Sequence, residues 1–432
     1  MKILFLSQLL PYPQDSGSKI KSYQTLAHLS QRHQLTLLSF IRSPQEHEHV
    51  PVLRRLCHHV GTVPLERSRL SDLLHFPLCA VTGRSLIIAR DGIEEMAKRV
   101  RELTAQEGFD VFHADRLQMA QFVSSAPGVR VLDQHNVESE ILRQWYRSSP
   151  RLALRLAGWL EWRNLRRYEA QTCRRFHHIF CLTPQDRTQL LEMLSPNGSM
   201  TISELPQFSV LPVGIDCSHF APLPVVKKRA SILFVGSLRW PPNADAAFWL
   251  ARDILTRVRR AVPRARLTIV GDGPDSQLSQ LSRCPGVTVT GRVEDIRPYF
   301  WQHAVLAVPL RMGSGIRIKI LTALACGLPV VSTTKGCEGI AGEPGKHFLI
   351  EDDPDRFAAA LAQVLTLRPL QERLARRGRE LIEKSHDEQI VSRDLDRAYQ
   401  LVADTRRQQL SILSAVSAAA SQKESLTPGA LP

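Results

Sequence analysis

The 432-residue chain has eight cysteines, at positions 57, 79, 173, 181, 217, 284, 326 and 337, and no C-x-x-C pair among them. That spacing excludes zinc-ribbon and dithiol redox motifs and suits a reducing compartment, where scattered thiols act as small buried hydrophobes. No apolar run reaches the roughly eighteen residues that a membrane-spanning helix needs. The apolar start at Ile3–Leu6 is four residues long, too short for a leader, and reads as a first strand. No G-x-G-x-x-G opens either half, which makes a two-domain NAD dehydrogenase the weakest enzyme reading. Nor does any known nucleic-acid motif accompany the basic balance, so no nucleic-acid partner is expected. These absences describe a cytoplasmic protein, peripheral to a membrane at most.

Charge is what the chain has in excess. Fifty-six basic residues face 42 acidic ones, a net charge of +14, which implies an acidic partner. Much of the excess is local, because residues 143–178 hold nine arginines against only Glu161 and Glu169. On a helical projection Arg151, Arg155 and Arg166 share an arc with Leu152, Trp159 and Trp162. Arginine interleaved with tryptophan suits the headgroup layer of an anionic membrane surface. A packed helix with core tryptophans and solvated arginines would carry the same pattern, and both readings stay open.

Apolar runs alternate with amphipathic stretches along the whole chain, which implies α/β architecture with parallel sheets covered on both faces. The first set of strands is Ile3–Leu6, Leu35–Phe40, Val111–His113, Val129–Leu132, Ile179–Leu182 and Val210–Val213. After the proline- and lysine-rich stretch 222–229 the pattern restarts at Ile232–Val235, Leu267–Val270, Val287–Thr290, Val305–Val308 and Val330–Ser332. One further strand is expected at His347–Ile350, and Asp352–Leu367 reads as an N-capped helix. The composition divides the chain into residues 1–224 and 225–387, with 411–432 a disordered tail by its Ser, Ala and Gly content.

Residues 311–332 concentrate the chemistry. Gly313, Ser314 and Gly315 form a loop that lets backbone approach an anion, with Ser314 a candidate N-cap. A short helix then begins near Arg317 and Lys319, so amide N–H groups, helix dipole and two cations converge. Ile320, Leu321, Leu324 and Ala325 give that helix an apolar face, and Gly327 with Pro329 ends it. A diphosphate fits such a cradle.

This stretch resembles the donor-binding segment of glycosyltransferase family 4, retaining enzymes of the GT-B fold with two facing Rossmann-like domains. Further segments resemble the family in the same order: Pro11–Ser18 its first-strand loop, Leu132–Glu138 an acceptor-side segment, and Leu211–Asp216 the end of its first domain. Phe234–Ser237, Ile269–Pro274 and Val289–Arg292 resemble strand ends of its second domain. The resemblance implies that helix 388–410 crosses back to the first domain. It also implies that the strand-end residues Gly236, Ser237, Gly271 and Gly273 lie against a nucleotide, with Gly313, Ser314, Gly315 and Ile316 forming the phosphate loop. Gly17 and Ser18 would approach the diphosphate from the first domain, and Asp115 would activate the acceptor hydroxyl. His135 and Asn136 would bind acceptor or donor sugar, or serve local turn bonding. Arg317 and Lys319 would stabilise the leaving group, so neither metal nor cofactor is expected.

The chain also departs from the family. Ser237 and Pro242 stand where relatives carry Arg and Lys, which leaves Arg239 as the substitute clamp. Ser314 and Thr322 stand where two glutamates are usual, and Thr322 offers a ribose one hydroxyl rather than a carboxylate. The expected activity is transfer of a sugar from a nucleoside-diphosphate-sugar donor to a glycan or lipid-linked acceptor in bacterial polysaccharide synthesis. The alternatives are a catalytically weakened, non-catalytic partner in polysaccharide assembly and a nucleotide-sugar epimerase.

Overall fold

A computed structural model describes the chain apart from residues 67–76, 80, 150, 197–200, 202–203, 225–227, 229, 314 and 426–432, with backbone alone at 148, 413 and 415–425. It divides into two compact units, Met1–Leu211 with Arg393–Pro432, and Pro212–Ser392.

The first unit is built on a seven-stranded sheet of order β3-β2-β1-β4-β5-β6-β7. Its strands are β1 Lys2–Ser7, β2 Gln34–Ile41, β3 His59–Pro64, β4 Val111–Asp115, β5 Val129–Gln134, β6 His178–Cys181 and β7 Gln207–Val210. The second unit has a six-stranded sheet of order β10-β9-β8-β11-β12-β13. Those strands are β8 Ser231–Val235, β9 Arg266–Val270, β10 Val287–Val289, β11 Val305–Val308, β12 Val330–Ser332 and β13 Leu349–Ile350. Every pairing is parallel. Helices cover both faces, so the central strands β4 and β11 are buried along their whole length; β11 reads as an unbroken apolar run, while β4 carries His113 and ends in Asp115. Strand order reverses between β1 and β4 in one unit and between β8 and β11 in the other. At such a switch point the carboxyl ends of neighbouring strands open a crevice for ligands.

Two strands differ from the sequence reading. β3 is an edge strand with alternating partial exposure and contains Gly61 and Pro64, so it lacks the apolar run that marks a central strand. β7 ends at Val210, earlier than expected, because Pro212 has no N–H to continue the ladder. The boundary between units also lies upstream of residue 225. Pro212–Ala221 packs within the second unit, where Arg379 donates to the carbonyls of Cys217 at 2.9 Å and Phe220 at 3.1 Å.

The closing helix runs Glu388–Ser425, past the end expected near 410, since the chain offers no Gly or Pro to stop it before Pro428. Its residues Leu395, Ala398, Tyr399 and Val402 share one face and pack with Ile3, Phe5 and Val111 in the first unit's core. The Tyr399 hydroxyl lies 2.7 Å from His113 Nδ1. Burial pushes His113 down to about 4, so the ring that shares this bond is neutral. Tyr399→Phe should cost about 1–3 kcal/mol by leaving that nitrogen unpaired, read as a lower urea midpoint for the first unit with an unchanged slope.

Candidate functional site

Beyond the end of β8 the chain turns at Gly236, and here the absence of a side chain is required. A Cβ at Gly236 would fall 2.7 Å from the Asn243 side chain and 2.8 Å from Lys319 Nζ. Gly271, beyond β9, approaches equally closely, for its Cβ would meet the Gly236 carbonyl at 2.1 Å. Asn243 lies in the helix Pro241–Trp249, which two prolines start at its first turn. It accepts from Lys319 Nζ at 2.9 Å and donates to the Ser237 carbonyl at 2.9 Å. The Lys319 ammonium also sits 5.0 Å from the Phe234 ring.

Arg317 stands at the N-cap position of the helix Ile318–Ala325, so the cap is not Ser314, which lies outside the described residues. Its guanidinium is buried, donates to the Gly315 carbonyl at 2.6 Å and stands 5.9 Å from the Trp240 ring. Gly313 closes the group with φ +107°, a backbone state open to glycine, and its absent Cβ leaves room for Trp240 at 2.9 Å. Burial, and then the neighbouring Arg317, push the Lys319 amine down to about 7. Burial lowers Arg317 to about 10. Two crowded basic groups with backbone on one side form a site suited to an anion.

The remaining expected residues of this unit take different places. Ile316 is half-buried against the core, and Gly273 backs onto the Leu238 side chain. Thr322 is buried in the middle of its helix. Ser237 and Arg239 both engage Asp272: the Ser237 hydrogen bond is the main cause holding that carboxyl below its usual range, and Arg239 Nε lies 2.9 Å from it. Arg239 is therefore an exposed member of a surface ion pair rather than part of the Lys319 cluster.

In the first unit, parallel register sets Ser7 of β1 beside Asp115 of β4, and Asp115 beside Asp133 of β5. This places three polar side chains in one row at the strand ends. Asp115 is 1% exposed and accepts from Ser7 and Ser22, each at 2.7 Å. Its other oxygen lies 2.8 Å from His135 Nε2. Burial works against its ionisation, but His135 and the two hydroxyls outweigh it and leave the group at about 2. So acidic a carboxyl is a weak base; one of its oxygens takes both hydroxyls while the other faces the His135 ring. Gly17 and Ser18 begin the helix Gly17–Leu29, which brings Ser22 to Asp115 one turn later. Lys19 turns aside, 3.4 Å from Asp15 and 3.8 Å from Glu46.

Asp115, Asp133 and His135 present ligand-type atoms within 4.8 Å of one another, a grouping that no sequence spacing revealed. Lys21 Nζ, buried 3.7 Å from Asp133, already supplies a cation there. Two close-spaced carboxylate pairs, Asp353 with Asp355 and Asp394 with Asp396, are engaged elsewhere. Asp353 caps the helix Pro354–Thr366, and Asp396 pairs with His28 and Arg32. Sequence also gave no sign of Arg116, held at φ +83° immediately after Asp115 with its guanidinium on Gln8 at 2.8 Å. A non-glycine residue there stores strain at the end of the row.

Two all-parallel Rossmann-like units with these switch points define the GT-B class of fold. Residues 229–367, which contain the whole Gly236–Lys319 cradle, match the family described as Glycosyl transferases group 1. A protein of Klebsiella pneumoniae described as an uncharacterized 44.6 kDa protein in the cps region is 25% identical over 138 residues, 30% of this chain and 36% of that protein's length. Sucrose-phosphate synthase of Thermosynechococcus elongatus superposes with a TM-score of 0.67 at 15% identity, over 94% of this chain and 100% of that one. Anabaena HepE, solved with UDP and glucose, gives 0.62 at 16% identity over 93% and 99%. Staphylococcus aureus TarM gives 0.63 at 8% over 92% and 100%.

Asp115 tests the first-unit network. Its lowered pKa contributes stability that is present above the unfolded value near 4 and lost as pH falls through about 2. Asp115→Asn should therefore destabilise the first unit by about 2 kcal/mol at pH 7. That difference should shrink steadily toward pH 2, followed by urea unfolding across the acid range.

Proposed function

We propose that the protein is a retaining glycosyltransferase that moves a sugar from a nucleoside diphosphate to a glycan or lipid-linked acceptor in bacterial surface-polysaccharide synthesis. One observation carries this reading: Lys319 and Arg317 are held, desolvated, against the side-chain-free backbone of Gly236 and Gly313. Such a pair stabilises negative charge that grows on a diphosphate as the bond from anomeric carbon to phosphate oxygen breaks. UDP in the HepE structure supports a nucleotide ligand, and the cps-region relative supports a polysaccharide setting. In the first unit His135, oriented by Asp115, meets the acceptor hydroxyl, with Gly17 and Ser18 near the diphosphate. No metal takes part, and the basic stretch 143–178 holds the enzyme at an anionic membrane surface. The buried Thr322, in place of a carboxylate, favours one second reading, a weakened enzyme acting as assembly partner; donor hydrolysis or transfer in vitro separates the two.

Calorimetry against UDP, GDP, ADP and TDP identifies the nucleotide, and silence toward all four would remove the donor site. With the nucleotide that binds, Arg317→Ala and Lys319→Ala should each weaken affinity about thirtyfold, the loss of one charge-assisted hydrogen bond of about 2 kcal/mol. Binding should also take up a proton at pH 8, where Lys319 at about 7 is mostly neutral until an anion arrives. At pH 6, where it is already charged, that uptake should vanish. Heats that do not depend on the buffer's ionisation enthalpy at pH 8 would contradict this role for Lys319.

A further inference from the structure

The helix Leu152–Cys173 turns its only two acids inward. Glu161 accepts from Leu86 N at 3.0 Å, Ile87 N at 3.1 Å and Ser85 Oγ at 2.6 Å, so it caps the short helix Leu86–Ala89. Glu169 accepts from Glu138 N at 3.0 Å and Ser139 N at 3.1 Å and caps the helix Glu138–Ser148. The outer face is left with arginines that no acid of its own helix balances. Trp162 is half-buried, 5.9 Å from Tyr146, and does not join that face.

At helical spacing, the exposed residues Leu152, Leu156, Trp159, Arg163 and Arg167 form one stripe, apolar at its start and cationic at its end. Trp145 extends the apolar end, since its ring lies 3.2 Å from where a Cβ on Gly158 would stand. At the cationic end a turn carrying Leu78 and Val81, which is 88% exposed, is tied to the helix through Asn164 Nδ2, 3.5 Å from the Cys79 carbonyl and 3.2 Å from that of Arg84. Behind this turn lies a cavity of about 310 Å³ lined by Arg84, Arg167, Tyr168, Gln121 and Gln171. No carboxylate among the described residues pairs with Arg84 or Arg167.

We propose that this cavity binds the phosphate headgroup of a bilayer lipid, with its acyl chains lying over Leu78, Val81, Leu156 and Trp159. Charge and polarity choose the occupant. Two guanidiniums with amide and phenol donors match phosphate oxygens. The apolar residues beside them, interleaved with arginine, match the boundary between headgroups and chains. A second copy of the chain would bring the same positive charge to the contact and be repelled. The inference rests on the membrane-surface reading above and adds to it a headgroup-specific site.

Vesicle co-sedimentation of the full chain tests it, with phosphatidylcholine alone, with added phosphatidylglycerol, and with added phosphatidic acid, whose terminal phosphate is the most accessible. Binding should rank in that order, weakest to strongest. Arg84→Gln with Arg167→Gln should lower partition onto phosphatidic acid by about thirtyfold, and Leu156→Ser with Trp159→Ser should weaken binding to every vesicle. Equal partition onto all three, or no change in the arginine pair, would overturn the proposal. Binding of inorganic phosphate that the arginine pair abolishes, without vesicle association, would make this a free-phosphate site and overturn the lipid assignment. Self-association abolished by the Leu156 and Trp159 changes would assign the face to a second copy. Nucleotide affinity measured on the same variants should stay unchanged, so failure here is distinguishable from failure of the donor site.

Discussion

A lysine ammonium held against bare backbone is the constraint on which the second unit's site depends. Lys319 can reach Asn243 only because Gly236 presents no side chain, and Gly236 can lie there only because Gly271 leaves its carbonyl room. Asn243 is fixed in turn by the Ser237 carbonyl and by its place in a helix that two prolines begin. Trp240, Gly313 and Arg317 close the same cluster from the other side. Enlarging any of these residues would push on the next, because none has spare volume. The arrangement sets two basic groups against backbone before any ligand arrives, so little reorganisation is left for the moment of binding.

The first unit follows a different logic. Its polar row is written by register, not by a loop: Ser7, Asp115 and Asp133 lie side by side because three neighbouring strands run parallel and in step. Neighbouring donors then decide what each group can do. Two hydroxyls and the nearby His135 lower the basicity of the Asp115 carboxylate. Lys21 balances Asp133, and the closing helix reaches the row through Tyr399 and His113. The acids of the Leu152–Cys173 helix show the same division of labour. Capping two helix starts takes both carboxylates off the surface, and this makes an outer face that is cationic beyond what a residue count suggests.

Much of this was legible in the order of residues. Period and composition located twelve of the thirteen strands among the described residues, because strands covered on both faces are mostly apolar. They also marked the Gly313–Lys319 cradle, whose glycines and cations are consecutive, and the N-cap at Asp353. Edge strand β3, with its mixed exposure, left no such trace. Arg239, expected as a diphosphate clamp, pairs with Asp272, 33 residues away, which nothing in the local sequence announces.

What the sequence determined by itself is therefore whatever depends on near neighbours: strand and helix periods, the glycine loop, the basic stretch and the absence of spanning segments. Tertiary structure alone decided which side chains meet across strands and helices. It set Asp115 among two hydroxyls and His135, pushed the Lys319 amine down to about 7, and joined Arg84 to Arg167 around one cavity. The physical reason is desolvation. A group's acidity and its partners depend on who excludes water from it, and those residues are distant in the chain and adjacent only after folding.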